Sequence, residues 1–488
     1  MSKINNIAHM SGEEPTTVYS SHRLGRTVQF AQHHIPTGFV ILGLLEMAMF
    51  MLAFYGGVEL RFLVSAGKTY VGPLLPKAFL FSLVMLSSLI AMGAYKRGAN
   101  QSFVAMVVQV ASALVLGMLP LAFLYYFAPL FFLGRGALGL AVILSFILIV
   151  ITRLAFDRLA DQERFKSRVL VLGTGSRANL IRKAVEGGEL NGLNVVGFVR
   201  LSTETGAPRK GDILSDDQSL VDMISKADVD QIVLAVDDRR KALPVRDILD
   251  CKMSGISVVD LLTFFERETG KVRLDILQPS WLFLSDGFRL NALRKVSKRI
   301  FDISIVLLML PIALPLMLVT GLAVFLESGG RGPILYRQTR VGEHGQLFQI
   351  VKFRSMRVDA ESDGPRWASA NDARITVVGS FIRRTRLDEL PQLYNVLKGE
   401  MSFVGPRPER PEFTRELRNN IPYYSERHRV KPGLTGWAQI RYPYGASQDD
   451  AVKKLQYDLY YVKNYSIFLD LLILFQTAEV VLLRRGAH

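Results

Sequence analysis

Two adjacent acids, Asp388 and Glu389, begin a short amphipathic pattern in the last third of the chain. Apolar residues recur after them at helical spacing, and Gly399 is a typical stop at the end of a helix. The pattern therefore predicts that both carboxylates lie at a helix N-terminus, where the helix dipole favours their ionised forms. A rigid, basic Gly-Pro-Arg-Pro segment follows at 405–408. Acids and a fixed cation in this order indicate an enzyme that acts on a phosphorylated substrate.

Four basic residues are candidates for binding the phosphate groups of such a substrate. Lys352 and Arg354 belong to one strand-like segment, in which residues two apart point to the same face. Arg407 lies between two prolines that limit its backbone freedom, and Arg383 lies shortly before the two acids. Positive groups stabilise the charge that develops during phosphoryl transfer. The candidate set for substrate binding is Lys352, Arg354, Arg383, Arg407 and Pro408.

These residues also have simpler structural interpretations. Thr385 and Asp388 have the spacing of a capping box, in which a hydroxyl and an acid satisfy the first turn of a helix. A single basic residue is most often solvated at the surface. The capping and catalytic interpretations of Asp388 are compatible with each other, so the local pattern leaves both open.

The composition indicates a membrane protein with basic soluble parts. The 488 residues are 49% hydrophobic, yet they include 59 Lys and Arg and carry a net charge of +15. Such a charge suits the anionic cytoplasmic leaflet or phosphorylated ligands. The basic residues are spread along the chain without a nucleic-acid-binding signature, so no nucleic-acid partner is predicted. The single cysteine, Cys251, excludes an internal disulfide framework.

Four apolar runs in the first third of the chain are long enough to cross the hydrocarbon of a bilayer. They cover 36–56, 77–95, 103–126 and 130–152. Basic residues occur before the first run, between the second and third runs, and after the fourth. By the positive-inside rule, this pattern places both ends of the bundle in the cytoplasm. We therefore predict a cytoplasmic tail at 1–35 and four transmembrane helices within 36–152. Buried core helices are the alternative.

A fifth apolar run, 300–326, differs because Pro311 and Pro315 lie near its middle and basic residues flank both ends. A proline removes a helix hydrogen bond and kinks or breaks the helix. A broken helix could enter the bilayer and return to the same face, whereas a kinked helix could cross it, and the local sequence leaves both open. The apolar tail at 467–483 is likewise either an interfacial helix or a core helix.

Residues 165–265 alternate strand and helix patterns, which predicts a Rossmann-like α/β domain. Strand patterns occur at 168–172, 195–199, 231–236 and 256–259. A G-x-G-x-x-A turn at 173–178 lets a phosphate approach a helix N-terminus, but the usual acid after the second strand is missing. The domain either binds a nucleotide or is a structural or regulatory module. No tyrosine occurs between Tyr126 and Tyr336, which excludes the Tyr-x-x-x-Lys chemistry of nucleotide-sugar dehydratases here.

From Lys298 onward, a series of motifs resembles the bacterial sugar transferases, the monotopic polyprenyl-phosphate glycosyl-1-phosphate transferases. In chain order the motifs are KRIFD at 298–302, Pro315, GP at 332–333, RQ at 337–338, RVG at 340–342, KFRSM at 352–356, LDELPQ at 387–392, GEMS at 399–402, GPRP at 405–408 and KPGLTG at 431–436. One departure is Leu314, because the family often has serine before the helix-breaking proline. The whole chain resembles the large members that prime exopolysaccharide or O-antigen synthesis.

The resemblance implies transfer of a sugar 1-phosphate from a UDP-sugar to undecaprenyl phosphate, with release of UMP. Asp388 would attack the sugar-bearing phosphate to form a covalent aspartyl-phosphate-sugar, and Glu389 would help to hold Mg²⁺ with the substrate phosphates. Asp388 and Glu389 are thus both the catalytic and the metal-binding candidates. A non-catalytic membrane scaffold, whose middle domain senses nucleotide, is the alternative.

The expected fold is a membrane protein with three parts. These are a four-helix transmembrane bundle, a Rossmann-like α/β middle domain, and a C-terminal α/β catalytic domain over 296–488 that a re-entrant helix-break-helix at 300–326 anchors. The expected location is the bacterial inner membrane, with the active site at its cytoplasmic face. Further expected partners are the bilayer, a second copy of the chain and polysaccharide assembly proteins. The sequence does not indicate which sugar is transferred.

Overall fold

The computed structural model describes residues 27–30, 33–64, 73–95, 103–159, 166–190, 192–200, 213–214, 220–237, 243–284, 287–288, 291–360, 372–442, 445 and 447–482. The predicted tail at 1–35 lies mostly outside these residues. Two short strands, β1 (Thr27–Phe30) and β2 (His33–Pro36), come first. Beyond them the chain forms two compact units, one made of residues 160–264 and the other of 39–159 with 265–488.

Four long apolar helices precede the α/β parts of the chain, as the sequence predicts. They are α1 (Thr37–Val64), α2 (Leu74–Ala91), α3 (Phe103–Phe127) and α4 (Arg135–Leu159). With one later helix, they make up the five described helices that are long and apolar enough to cross a membrane. Aromatic side chains pack between them, and Phe50, Phe54 and Phe81 are fully buried. This arrangement is that of a membrane protein.

A buried ion pair connects the first and the last of these four helices. Arg153 Nε in α4 donates to Glu46 Oε1 in α1 at 2.6 Å, and the Tyr95 hydroxyl donates to the other oxygen of Glu46. Glu46 is fully buried, so its charge needs these partners in an apolar environment. The pair therefore fixes which faces of α1 and α4 meet.

The unit at 160–264 is built on a parallel sheet. Its strands are β3 (Ser167–Leu172), β4 (Leu193–Val199), β5 (Ile213–Leu214), β6 (Gln231–Leu234) and β7 (Ser257–Asp260). The helices between and after them are α5 (Ser176–Glu186), α6 (Leu220–Ala227), α7 (Val245–Met253) and α8 (Leu261–Thr269). The spatial order β5-β4-β3-β6-β7 is that of a Rossmann sheet, which confirms the predicted α/β domain.

The C-terminal region combines helices with two small sheets. Its helices are α9 (Pro279–Leu284), α10 (Ala292–Glu327), α11 (Val377–Arg384), α12 (Gln392–Lys398), α13 (Pro411–Asn420), α14 (Trp437–Arg441), α15 (Gln448–Lys463) and α16 (Ile467–Leu482). Strands β8 (Leu335–Val341) and β9 (Leu347–Phe353) pair antiparallel, and β10 (Ser402–Val404) and β11 (Gly433–Thr435) pair parallel. Two 3-10 turns, Leu387–Glu389 and Tyr424–Arg429, lie between these elements.

The backbone of helix α10 stays α-helical through Pro311 and Pro315, so the predicted break is not an interruption of the helix. The return of this helix to the same membrane face stays a prediction. Each proline removes one hydrogen bond, and the carbonyls that lose their donors are those of Leu307 and Pro311. Residues four apart lie on one face of a helix, so both losses fall on the same face. The hydrogen bonds along the other faces remain, and they keep the backbone α-helical across the proline pair.

The apolar tail forms α16, whose inner face is buried as in a core helix. Leu469, Asp470 and Ile473 have no exposed surface. Asp470 accepts from the Tyr461 hydroxyl at 2.8 Å and lies 2.8 Å from Lys298 Nζ, near the start of α10. Helix α16 also packs against α2 and β10. Core packing therefore accounts for its apolar sequence.

A side chain of the protein itself, the Asp237 carboxylate, accepts hydrogen bonds from the backbone N–H groups at the glycine turn of the parallel sheet. Asp237, just beyond β6, accepts from the N–H of Ser176 at 2.8 Å and from the N–H of Arg177 at 3.0 Å. The Ser176 hydroxyl also donates to Asp237, at 2.9 Å. These N–H groups begin α5 and are the ones that hold a phosphate in nucleotide-binding folds. The arrangement favours a structural or regulatory role for this unit over nucleotide binding.

Replacing Asp237 with alanine should open this turn to an external anion. We expect Asp237→Ala to lower the melting midpoint, because a helix N-terminus that loses its acceptor is typically about 1 kcal/mol less stable. Added inorganic phosphate should raise the midpoint of the variant more than that of the wild type, as differential scanning fluorimetry of the full-length protein would measure. Asp222→Ala, in the first turn of α6, is the matched control. A larger phosphate response in the wild type would contradict the interpretation.

Candidate active site

A buried asparagine joins strand β9 to helix α12. Asn395 Oδ1 accepts from the N–H of Val351 at 3.1 Å, and its Nδ2 donates to the Gln349 carbonyl at 2.7 Å and to Glu400 at 2.8 Å. These bonds place Lys352 beside the turn that precedes α12. Asn395 is not among the residues predicted from sequence, although a polar residue inside an apolar helical pattern was an available signal.

The two acids lie in the 3-10 turn just before α12, which begins at Gln392. Pro391 has no N–H, so the α-helical hydrogen bond to the Leu387 carbonyl cannot form there. The N–H of Leu390 takes that carbonyl instead, at 3.2 Å, in 3-10 geometry. Asp388 and Glu389 therefore stand just outside the helix N-terminus that the sequence predicts for them.

Thr385 does not cap this turn, so the capping-box interpretation is wrong. Its hydroxyl donates to the Phe381 carbonyl at 2.9 Å and satisfies the end of α11 instead. The next residue, Arg386, has a left-handed φ of 60°, which turns the chain from α11 into the acid turn. The Asp388 carboxylate is thus left without a capping role.

Three cations converge on one oxygen of Glu389. Lys352 Nζ lies 3.0 Å from Glu389 Oε1, Arg407 Nη2 lies 2.7 Å from it, and Arg386 Nη1 lies at 4.0 Å. Glu389 is only 8% exposed, so its charge depends on these partners. Burial alone would raise the pKa of Glu389, but Arg407 and Lys352 outweigh burial and hold that pKa well below its ordinary value. Glu389 is therefore a fixed anion.

Asp388 is buried too, but its electrostatic state is different. Burial first, and then the charge of Glu389, raise the pKa of the Asp388 carboxyl above its ordinary value. Its Oδ1 is buried and has no hydrogen-bond partner among the described residues. One turn later, Gln392 Nε2 is a buried donor that likewise lacks a partner there. Buried polar atoms are normally satisfied, so these two atoms mark a place for a ligand.

The pKa values of the two main cations, Lys352 and Arg407, shift in opposite directions. Burial lowers the pKa of Lys352, and the nearby Glu389 carboxylate opposes this effect. The same carboxylate raises the pKa of Arg407, with burial as the opposing influence. Arg407 is therefore a permanent cation, whereas the charge of Lys352 depends on its acidic partner. Together they supply positive charge at the edge of the acid turn.

The structure brings four of the predicted site residues together and leaves the others apart. The cluster contains Asp388, Glu389, Lys352 and Arg407. Arg354 lies one residue beyond β9, and its guanidinium donates to the Arg331 carbonyl at 3.3 Å. Arg383 lies in the last turn of α11. Within the described residues, neither forms an ion pair with the two acids. Pro408 contributes its carbonyl, which accepts from Arg340 Nη1 at 3.2 Å.

The acid pair could hold a divalent cation only with the help of ligands from outside the protein. In the part of the chain that the structure describes, no group of three or more His, Cys, Asp and Glu side chains could hold a metal ion. Mg²⁺ is commonly bound by one or two carboxylates, with water and substrate phosphates in the remaining positions. The free oxygen of Asp388 fits such a site.

Removing the amide of Asn395 should loosen the contact between β9 and α12. Asn395→Ala leaves the N–H of Val351 and the Gln349 carbonyl without their partner, which should cost roughly 2–4 kcal/mol of stability. A fall in the melting midpoint of the detergent-solubilised protein would measure this. Lys398→Ala is the control, because Lys398 is exposed on the same helix and pairs only with Glu400 among the described residues. Equal midpoints for the two variants would contradict the role of Asn395.

Two family models match this chain. The model described as bacterial sugar transferase matches residues 293–484, which include every element of the acid cluster. The model described as a CoA-binding domain matches residues 90–248, which include α3, α4 and strands β3 to β6. The candidate active site therefore lies within the first match, and most of the parallel sheet lies within the second.

Three curated relatives cover different shares of the chain. The UDP-N-acetylgalactosamine-undecaprenyl-phosphate N-acetylgalactosaminephosphotransferase of Aeromonas hydrophila is 40% identical over 50% of this chain and 56% of its own length. The UDP-glucose:undecaprenyl-phosphate glucose-1-phosphate transferase of Klebsiella pneumoniae is 36% identical over 55% of this chain and 58% of its own length. A UDP-glucose:undecaprenyl-phosphate glucose-1-phosphate transferase from Xanthomonas campestris pv. campestris is 32% identical over 73% of this chain and 75% of its own length.

The chain thus spans little more than half of the length of the first two relatives and three quarters of the third. The sequence motifs, the family match over the acid cluster and the long alignment with the third relative agree with one another. This chain belongs to the bacterial sugar transferase family.

Proposed function

We propose that this protein transfers a sugar 1-phosphate from a UDP-sugar to undecaprenyl phosphate and releases UMP. The observation that carries the proposal is the acid turn, where Asp388 has a free buried oxygen beside a neighbour that cations hold ionised. The relatives support the proposal, since their names describe sugar phosphotransferases that act with undecaprenyl phosphate. Those names differ in the sugar, so the sugar used by this chain is left open.

The first step is an attack by Asp388. Its carboxylate oxygen forms a bond to the phosphorus that carries the sugar, and the bond from that phosphorus to the bridging oxygen breaks. UMP leaves with the electron pair, and the sugar phosphate stays on Asp388 as an acyl phosphate. Such a covalent intermediate splits one difficult transfer into two easier ones.

The second step transfers the sugar phosphate to the lipid. An oxygen of the lipid phosphate bonds to the same phosphorus, and the bond to Asp388 breaks. The carboxylate is restored, and the product is a lipid diphosphate that carries the sugar. Lys352 and Arg407 lie beside the acid turn in both steps, where their positive charge offsets the negative charge of the transferring phosphate.

Asp388 and Glu389 would hold Mg²⁺ together with the phosphates of the substrate. The fit rests on the buried Oδ1 of Asp388, which lacks a partner among the described residues, and on a two-carboxylate set of the kind that Mg²⁺ uses. The ion would reduce the repulsion between the carboxylates and the incoming phosphates. Glu389 keeps its charge through Lys352 and Arg407. The acid pair therefore presents negative charge to the ion, and the cations beside Glu389, Lys352 and Arg407, present positive charge to the substrate.

Helix α10 is proposed to enter the membrane from the cytoplasmic face and to return to it. Its 36 residues correspond to about 54 Å, so a bend near the middle would give two arms of about 27 Å, each shorter than the ~30 Å of bilayer hydrocarbon. Leu318, Val319 and Leu322 are exposed, as expected of side chains that contact lipid. If the bacterial inner membrane holds the helix in this way, the acid turn faces the cytosol, where UDP-sugars are found. Pro311 and Pro315 are the proposed site of bending.

The position of α10 can be tested with single cysteines. We expect Lys295→Cys and Arg331→Cys, each in a Cys251→Ser background, to resist an impermeant thiol reagent in intact spheroplasts and to react after lysis. Both ends would then lie in the cytoplasm, as a re-entrant helix requires. Labelling of one of the two positions in intact spheroplasts would show a spanning helix instead.

The reaction itself can be tested by UMP release from a panel of UDP-sugars. Wild-type protein with Mg²⁺ and undecaprenyl phosphate should release UMP from at least one sugar, and Asp388→Asn should lower the rate at least about a thousandfold. Without lipid, a donor labelled in the sugar-bearing phosphate should leave label on the wild type but not on the variant.

Asp359→Asn is the matched control, because Asp359 is exposed and pairs with Arg357 away from the acid turn. Release of UDP in place of UMP would mean an ordinary glycosyl transfer and a wrong role for Asp388. If a folded wild type releases UMP from none of the sugars, the transferase proposal is rejected and the non-catalytic membrane scaffold remains as the interpretation.

A further inference from the structure

The Gly-Pro-Arg-Pro loop cannot hold its own shape with backbone hydrogen bonds. Pro406 and Pro408 have no N–H groups, so the loop lacks two donors that a turn would use. Its carbonyls must find partners elsewhere, because buried backbone carbonyls are nearly always satisfied. The loop needs a fixed shape because the Arg407 guanidinium must stay 2.7 Å from Glu389.

Backbone donors fix the two ends of the loop. The Pro406 carbonyl accepts from the N–H of Gly433 at 2.9 Å, at the start of β11. The Glu409 carbonyl accepts from the N–H of Val341 at 3.0 Å, at the end of β8. Among the described residues, the carbonyls between them, those of residues 407 and 408, accept no backbone hydrogen bond.

Two arginine side chains supply the donors for these middle carbonyls. Arg427 Nη2 donates to the Arg407 carbonyl at 2.9 Å, and Arg340 Nη1 donates to the Pro408 carbonyl at 3.2 Å. Arg427 comes from the 3-10 turn at Tyr424–Arg429, and Arg340 comes from β8. The four consecutive carbonyls of residues 406 to 409 thus have four separate donors, which come from three elements: β11, the 3-10 turn at Tyr424–Arg429 and β8.

Arg427 is itself held in one orientation. Its Nε lies 3.0 Å and its Nη2 lies 2.8 Å from Asp458 Oδ2 in α15, and its Nη1 donates to the Tyr424 hydroxyl at 2.8 Å. Arg427 and Asp458 are both buried. A buried ion pair is often no more stabilising than apolar residues of similar size, so stability alone is a weak reason for this one. Its geometry instead leaves one guanidinium edge aimed at the loop.

We propose that Arg427, oriented by Asp458, and Arg340 are positioning residues that fix the backbone of Arg407 and thereby aim its guanidinium at Glu389. The inference rests on the proposed transfer reaction, because it gives these residues an effect on catalysis through Arg407. Neither residue needs to touch the substrate. A displacement of about 1 Å at a reacting group can cost about a hundredfold in rate, so loss of this support should reduce activity.

A double-mutant cycle separates positioning from mere structural support. Arg427→Lys keeps a positive charge beside Asp458, but a lysine cannot reach Asp458, Tyr424 and the loop carbonyl together. We expect it to lower kcat/KM for lipid-dependent UMP release by about 10- to 100-fold. In an Arg407→Gln background the same change should cost less than about twofold, since there is no guanidinium left to aim. A structural role alone would cost the same factor in both backgrounds.

Arg429→Lys is the matched control, because Arg429 is an exposed residue of the same 3-10 turn and should leave the rate unchanged. Melting curves check that each variant is folded. If Arg427→Lys does not fold, Tyr424→Phe and Arg340→Lys, which each remove one support, go through the same cycle and decide the question. A wild type without UMP release would reject the proposed reaction. An active wild type whose variants lose equal factors in both backgrounds would reject only the positioning role.

Discussion

The site depends on the compensation of one buried charge, that of Glu389. A carboxylate removed from water is stable only when cations and hydrogen bonds offset its lost hydration. Here the two nearest cations come from β9 and from the loop at 405–408, which are separate in sequence and both contact this oxygen. Three elements must therefore stay within hydrogen-bonding distance of one another. The amide of Asn395 meets this requirement by holding β9 against α12. The guanidinium groups of Arg427 and Arg340 meet it by holding the loop at 405–408.

A second buried cluster determines where the apolar helix α10 leaves the catalytic region. Asp302 Oδ1 accepts from the Ser402 hydroxyl at 3.0 Å and from the N–H of Phe403 at 3.1 Å. Lys298 Nζ lies between Asp302 and Asp470, at 3.1 and 2.8 Å. The first turns of α10 are thus tied to β10 and α16 before the apolar stretch begins. The membrane segment and the acid turn belong to the same packed unit, which suits the lipid substrate that we propose.

The elements followed from local sequence, whereas the contacts between them did not. Hydrophobic periodicity is a local signal. It predicted four of the five parallel strands within about two residues, and the four apolar helices with ends up to about eight residues away. The arginine donors behind the loop, Arg427 and Arg340, lie 20 and 68 residues from the carbonyls that they contact, and they carry no periodic signal. The left-handed backbone of Arg386 has no signal either, because it follows from the need to turn between α11 and the acids. Pro311 and Pro315 do not interrupt α10, because the two hydrogen bonds that they remove lie on one face and the helix keeps those on its other faces.

In the proposed reaction, the two adjacent acids are useful because Glu389 pairs with the cations while Asp388 Oδ1 has no partner among the described residues. Had Lys352 and Arg407 bound Asp388 directly, its oxygens would have been occupied by hydrogen bonds and less able to attack phosphorus. By binding Glu389 instead, the two cations hold positive charge within reach of the substrate while Asp388 Oδ1 stays free. The neighbouring negative charge, together with burial, also raises the pKa of Asp388, and a more basic carboxylate is the better nucleophile. One residue of the pair therefore organises the charge, and the other keeps the reactive oxygen.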